Sequence, residues 1–323
     1  MNLRIFLFHD ADALWGTKVS ECQEKLVQLT GKKKFGKLCI GPAGENQVLY
    51  AGIISDERAS GRTGLGAVMG WKNLKAITAS GSHTVEVHDK EKSKAWIKKW
   101  FEYLQKHPLT GSQLPKLGTA GLVSSMQACG LLSTKNYSAG QYEDFEMVSG
   151  ERLAEEFNIT NKGCLTCPIR CARTVNVQGK EVKGPELETL GLLGGNICNN
   201  DLQKILDWNY ELDELGLDTI STANTIAYAM EANKRGIWNN GLEFGCVEEL
   251  NRILEELLSM LTERQRMVLR LHFGMEDGTC HSLEEIGALL GISKERARQI
   301  ERNAMEKLQK LGADMGLEDF LNE

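Results

Sequence analysis

Three cysteines, Cys164, Cys167 and Cys171, stand in the run Gly-Cys-Leu-Thr-Cys-Pro-Ile-Arg-Cys. Three thiols this close serve poorly as packing groups. The C-x2-C-x3-C spacing, with a proline beside one member, is the kind of run by which thiolates hold an iron–sulfur cluster. Zinc is the poorer match, because zinc sites pair two short Cys or Cys/His knuckles, and the closest histidine upstream is His107. The chain around the triplet is therefore expected to fold about a metal centre, and a four-thiolate cluster needs one ligand from outside the run. Cys198, Cys246 and Cys280 lie further on; Cys198 and Cys246 are expected as buried small hydrophobes. Nine cysteines with one tight cluster point to a reducing cytoplasm and a metal site, not to a disulfide framework.

Bulk properties narrow the partners. A net charge of -6 argues against a protein that coats nucleic acid with its whole surface, while leaving room for a local DNA-reading element. No apolar run approaches the roughly 20 residues of a membrane span. The apolar start, Leu3 to Phe8, is short and lacks a small-residue cleavage site, so neither a signal peptide nor a membrane partner is expected. With 323 residues the chain has room for two or three domains.

Periodicity divides the chain. Residues 1–80 read as mixed α and β, with a helix over 19–29 and short strands over 38–40, 48–54 and 74–78. Helical patterns dominate 85–255, over 90–105, 117–129, 150–157, 186–193, 202–215 and 219–235. From 256 onward the pattern is helical throughout, and helix formers run through the join, 247–258, without a linker.

Two stretches carry binding chemistry of their own. In Gly61-Arg-Thr-Gly-Leu-Gly-Ala-Val-Met-Gly70 the glycines let backbone N–H groups approach a phosphate-bearing cofactor closely. Arg62 adds a planar donor fork suited to phosphate or pterin oxygens. The spacing of Gly64, Gly66 and Gly70 is not the dinucleotide fingerprint, and a turn that packs a strand on a helix would use glycine equally. Asp213-Glu-Leu-Gly-Leu-Asp218 reads as a helix end, with Gly216 just past the C-terminus and Asp218 or Thr219 capping the next helix.

These stretches, with Asp10-Ala-Asp-Ala-Leu-Trp-Gly16, Gly41-Pro-Ala-Gly-Glu-Asn46, Lys72-Asn-Leu-Lys-Ala-Ile77, Gly118-Thr-Ala-Gly-Leu-Val123, the triplet and Gly184-Pro-Glu-Leu-Glu-Thr189, resemble the tungsten-dependent aldehyde ferredoxin oxidoreductase family in content and order. The resemblance implies a 4Fe-4S cluster on Cys164, Cys167 and Cys171 beside a bis-pterin tungsten or molybdenum cofactor. It implies oxidation of aldehydes to carboxylic acids, with electrons passing to ferredoxin. Pterin contacts then fall to Arg62, Gly64, Gly66, Asp213, Gly216 and Asp218. Glu188, with Glu186, stands where the family places an active-site carboxylate able to move protons; glutamates in a first helical turn are also ordinary electrostatics. The family's opening residues and its last domain have no counterpart here. That domain carries a second Asp-x-x-Gly-Leu motif, a histidine and the fourth cluster cysteine, so a three-ligand, exposed cluster is expected.

The C-terminal stretch is of another kind. Ser282 with Glu285 forms a capping box, Gly291 ends that helix and Ser293 caps the next. Ala297, Ile300, Ala304 and Leu308 recur on one apolar face. The opposite face carries Glu295, Arg298, Gln299 and Arg302, where Arg matches guanine edges and Gln matches adenine edges in a major groove. Lys294 and Arg296 flank them as phosphate contacts, with Arg264 and Arg266 as weaker ones; a solvated charged face is the bland alternative. The run from Leu261 through Glu301 to a tail ending Leu317-Glu-Asp-Phe-Leu321 closely resembles region four of the housekeeping bacterial RNA polymerase sigma factor. That resemblance implies a helix-turn-helix that reads the promoter -35 element and docks on the polymerase flap.

The expected architecture is α+β and multidomain: a partial β-containing pterin-binding domain over 1–80, a mostly α-helical cluster-binding domain over 81–255, and an all-α helix-turn-helix over 256–323. Three functions are open: an incomplete aldehyde oxidoreductase with a DNA-binding appendage, a transcription regulator with an iron–sulfur redox sensor, and a fused reading frame without joint function.

Overall fold

A computed structural model describes residues 7–32, 35–82, 85–177, 179–248, 263–272 and 281–314. Cys280, most of the join and the tail from 315 lie outside the described residues, as do the side chains of Arg264, Arg266 and Leu308. The chain forms two compact units: 1–80 with 214–218 and 256–323, and 81–213 with 219–255. Helices and antiparallel strands occur together, which makes the fold α+β.

The first unit holds a four-stranded sheet in the order β3-β2-β1-β4, from β1 (Gly36–Cys39), β2 (Ile53–Ser55), β3 (Arg58–Ser60) and β4 (Ala76–Ala79). Helix α1 (Val19–Thr30) repeats Val19, Cys22 and Leu26 on one face, which buries them against Cys39 and Ile54. Gly31 ends α1 in the left-handed conformation at φ 61, a position where glycine has no Cβ penalty. The expected strand over 48–54 is mostly a turn. Ala51 bridges to Leu217, and the Gly52 N–H donates to the Gly216 carbonyl at 2.8 Å, so only the end of the run joins the sheet.

Three of the sequence motifs meet in this unit at one buried ion pair. Glu45, at the end of α2 (Pro42–Glu45), and Lys75, just before β4, pair with side chains 3% and 0% exposed. The Gly16 N–H donates to the same carboxylate at 2.8 Å, and Lys75 donates to the Thr17 carbonyl at 3.0 Å. Burial pushes the Glu45 carboxyl up, and Lys75 opposes that rise. The runs around 16, 45 and 75 thus serve the fold, because a buried charge must be paired and hydrogen-bonded.

Helices α11 (Glu263–His272), α12 (Leu283–Leu290) and α13 (Lys294–Asp314) belong to the same unit. Val268, Leu283, Ile286, Ala297 and Ile300 form their core. His272 is buried and approaches the Glu301 carboxylate at 3.3 Å. A Cβ added to Gly16 would lie 3.5 Å from the His272 ring and 3.3 Å from Ser282, so these helices rest directly on the N-terminal segment.

The second unit is mostly helical, with α4 (Lys90–Lys106), α5 (Leu114–Leu117), α6 (Leu122–Ala128), α7 (Gly150–Glu156), α8 (Leu187–Leu193) and α10 (Thr219–Lys234); α9 (Leu202–Leu215) ends at the boundary. Its core gathers Val123, Leu153, Val175, Leu190, Ile205 and Ala223. The helix expected over 117–129 is interrupted at Gly118, whose φ is 66. A three-stranded sheet, β5 (Thr160–Lys162), β6 (Ala172–Val177) and β7 (Lys180–Lys183), stands where the sequence reading placed no strand. Its central strand reads Ala-Arg-Thr-Val-Asn-Val and is buried except at Asn176, so it lacks the in-out alternation of a half-exposed strand.

Candidate functional site

The cysteine triplet forms the loop between β5 and β6. Cys164 is exposed, and Cys167 and Cys171 are half-buried. The Cys167 N–H closes a turn on the Cys164 carbonyl at 3.0 Å. Thr166 and Arg170 both take positive φ, 63 and 53, which L side chains adopt at a cost. Among the described residues, no group of three or more His, Cys, Asp or Glu side chains is gathered closely enough to hold a metal ion. The three thiols are therefore neighbours along one loop, not a closed ligand set.

What surrounds the loop is more telling. Arg173, the second residue of β6, is only 4% exposed. Its guanidinium donates to the carbonyls of Arg170 at 3.1 Å, Ala172 at 2.6 Å and Leu114 at 2.6 Å. Its Nε has no partner, and no carboxylate pairs with it among the described residues. Burial lowers its pKa, against a raising influence from Cys171. Gly118 is glycine for the same crowding: a Cβ there would meet the Cys171 carbonyl at 2.6 Å and the Arg173 side chain at 3.5 Å. From the other side the Gly184 N–H donates to the Arg173 carbonyl at 2.9 Å, and the Leu187 N–H donates to Thr119 Oγ1 at 3.2 Å. The structure thus brings together three motifs far apart in sequence, those at 118, 164–171 and 184. An iron–sulfur cluster fits this loop in donor chemistry, three soft thiols, with the buried Arg173 close enough for Cys171 to act on its charge. Arg173 escaped the sequence reading, although it stands two residues past the triplet.

The remaining candidates fall elsewhere. Glu188 is exposed in the first turn of α8, and Glu186 is the residue before that helix. Asp213 sits 4.0 Å from Lys183 in the second unit. Cys246 is exposed and Cys198 half-buried, which corrects their expected burial; Cys198 occupies the left-handed region at φ 59.

In the first unit, Gly64, Gly66, Gly216 and Asp218 form one node. Gly61 faces the buried Asp218 carboxylate, 2.8 Å from where a Cβ would stand, and the Asp218 N–H donates to the Tyr50 carbonyl at 3.1 Å. A Cβ on Gly64 would meet the Leu49 carbonyl at 2.1 Å, and one on Gly66 the Gly52 carbonyl at 2.3 Å. These glycines pack closely on the protein's own backbone, which by itself requires glycine at each position. Arg62 alone of the node turns an exposed donor outward.

The C-terminal pair of helices is built as the sequence indicates. Ser282 and Glu285 complete the capping box, and Gly291 takes φ 64. The Arg296 N–H donates to Ser293 Oγ at 3.2 Å. Ala297, Ile300 and Ala304 are buried, whereas Glu295, Arg298 and Arg302 are exposed and Gln299 is half-buried. Lys294 contacts Asp12 at 3.5 Å, so Asp12 competes for any phosphate role of that lysine.

Comparison with known proteins agrees with these two kinds of architecture. The sequence pattern of aldehyde ferredoxin oxidoreductase domains 2 and 3 matches residues 95–315, and that of its N-terminal domain matches residues 5–81. The chain belongs to the aldehyde ferredoxin oxidoreductase family. It is 44% identical over 229 residues to the tungsten-containing aldehyde ferredoxin oxidoreductase of Pyrococcus furiosus, covering 70% of this chain and 38% of that protein. It therefore spans about two fifths of that relative. A segment of 74 residues, 23% of the chain, is 47% identical to the RNA polymerase sigma factor SigA of a Bacillus species, covering 20% of that protein. The BamBC active-site complex of benzoyl coenzyme A reductase, solved with 1,5-dienoyl-CoA, shares the fold: TM-score 0.59 and 24% identity over 71% of this chain and 36% of that one.

Proposed function

We propose that this chain is the electron-carrying part of an aldehyde ferredoxin oxidoreductase-type protein. Cys164, Cys167 and Cys171 would hold an iron–sulfur cluster of the 4Fe-4S kind, with ferredoxin as the electron partner. The observation that supports this best is the convergence of the Gly118, triplet and Gly184 segments on one loop with a buried cation beside it. A bound cluster supplies one-electron storage; the chain's residues supply thiolates, a fixed positive charge and tight backbone packing. Glu188, exposed in the first turn of α8, is the carboxylate this reading assigns to proton movement.

Aldehyde oxidation also needs tungsten or molybdenum on a pterin, and that activity belongs to the proposal only when the rest of the family fold is supplied. Iron and acid-labile sulfide, measured after anaerobic reconstitution, test the reading. Stoichiometric uptake by the wild type and its loss in Cys167→Ser are expected. A wild type without iron, or a Cys167→Ser variant that retains it, sinks the proposal.

A second reading rests on α13. The tail would bind promoter -35 DNA, because Glu295, Arg298 and Arg302 stay exposed while the opposite face is buried. In a helix-turn-helix the early residues of the second helix reach base edges. Docking on the polymerase flap belongs to the same reading, and footprinting on a -35 sequence tests it.

A further inference from the structure

We propose that Arg173 is the built-in counter-charge for an anionic group on the cysteine triplet, a positioning residue that favours both retention of that group and its reduction. This rests on the reading of the triplet as a cluster site. Burial of a charge is tolerated when it is paired, and an unpaired buried ion is costly. The chain obeys that rule at Lys75, which is fully buried and has Glu45. It does not obey it at Arg173, which is 4% exposed and has only carbonyl partners and an unpartnered Nε.

Carbonyls satisfy N–H donors but leave the net charge uncancelled. The missing negative charge has one obvious place. The guanidinium donates to the backbone carbonyls of Arg170, Ala172 and Leu114, and its side chain shares the Gly118 contact with the Cys171 carbonyl. Thiolates that ligate a metal carry negative charge, and groups hydrogen-bonded around cluster sulfurs set retention and potential. Arg170 is exposed and solvated, so its charge is screened in a way that the charge of Arg173 is not.

A merely structural role is the competing account, because three hydrogen bonds from Arg173 tie the end of the triplet loop to the Leu114 segment. The two accounts separate with Arg173→Lys and Arg173→Gln in the full chain, reconstituted anaerobically with iron and sulfide. Iron retention under chelator challenge and the midpoint potential by spectroscopically monitored dithionite titration are the readouts. As a counter-charge, Arg173→Gln should hold the cluster about tenfold more weakly and shift the midpoint potential downward, while Arg173→Lys stays close to wild type in potential. A structural tie predicts instead that Lys, which cannot span three carbonyls, fails as badly as Gln.

Wild-type protein that takes up no iron overturns the cluster reading and this inference with it. Wild type that holds the cluster, with Arg173→Gln unchanged in retention and potential, overturns the counter-charge alone. Should Arg173→Gln fail to fold by circular dichroism, Arg173→Lys against wild type decides: a potential displaced as though the charge were gone overturns the inference.

Discussion

Lys75 and Arg173 are two buried cations in two units of one chain, and they are treated in opposite ways. Lys75 meets a carboxylate that the fold itself provides, braced by the Gly16 N–H and the Thr17 carbonyl. Arg173 meets carbonyls alone. The first charge is closed inside the protein, so its residues explain three sequence motifs without any ligand. The second is left without a carboxylate, at the Cys171 end of the thiol loop. A third state appears on α13, where Arg298 and Arg302 are exposed. Closed charges should govern stability, open buried charges the holding of a small anionic group, and exposed charges the meeting with a polyanion.

The largest expected effect tests the closed pair. Glu45→Ala leaves Lys75 buried without its carboxylate, a change that costs about 3–5 kcal/mol when a buried pair is broken on one side. Denaturant unfolding of the full chain should show the loss, while iron uptake per folded molecule at the triplet stays at the wild-type level. A cost below about 1 kcal/mol would mean that the pair behaves as a surface bridge and that the contrast with Arg173 is empty.

Next in size is the exposed set. Arg298→Ala should weaken binding to a -35 duplex by about 1–3 kcal/mol and relax preference at one base pair, with unfolding unchanged. Gel-shift titration at fixed salt measures the first, and thermal unfolding the second. An unaltered base preference in this variant removes Arg298 from base reading and leaves a solvated face. Ser282→Ala reverses the pattern. Its hydroxyl accepts from the Glu285 N–H in the capping box, so about 1 kcal/mol of stability should go while base preference persists.

Much of this was legible in the chain beforehand, and the failures have physical causes. The helix-turn-helix was readable because local rules act there together: a capping box, a glycine at the αL stop, and an apolar repeat on one face. The triplet stood out because thiol spacing is a local signal, although among the described residues the three thiols form no closed ligand set. Strand β6 was missed because burial of five of its six residues removes alternation, which leaves a short apolar run that periodicity alone assigns to neither class. The glycine-rich loop of 61–70 read equally as a cofactor cradle or a packing turn, and the packing contact, Gly64 against the Leu49 carbonyl, joins segments whose pairing no local pattern encodes. Arg173 escaped for the deepest reason: a lone arginine in a strand looks exposed until the fold shows what covers it.

The smallest effect sharpens the comparison by titration. Glu301 is a second closed charge, buried against His272 at 3.3 Å. Burial pushes its carboxyl up, opposed by His272 and by Arg298. A carboxyl raised in the folded state keeps its proton where the unfolded chain, near an ordinary value of about 4.3, has lost it. The native state then binds more protons across that window, so stability must fall as pH climbs from the ordinary value through the raised one. Glu301→Gln removes the titration while keeping the shape, and should flatten that slope. Unfolding midpoints of wild type and variant between mildly acidic and neutral pH provide the check. Identical slopes would show that Glu301 stays ionised beside His272 as it does in the unfolded chain.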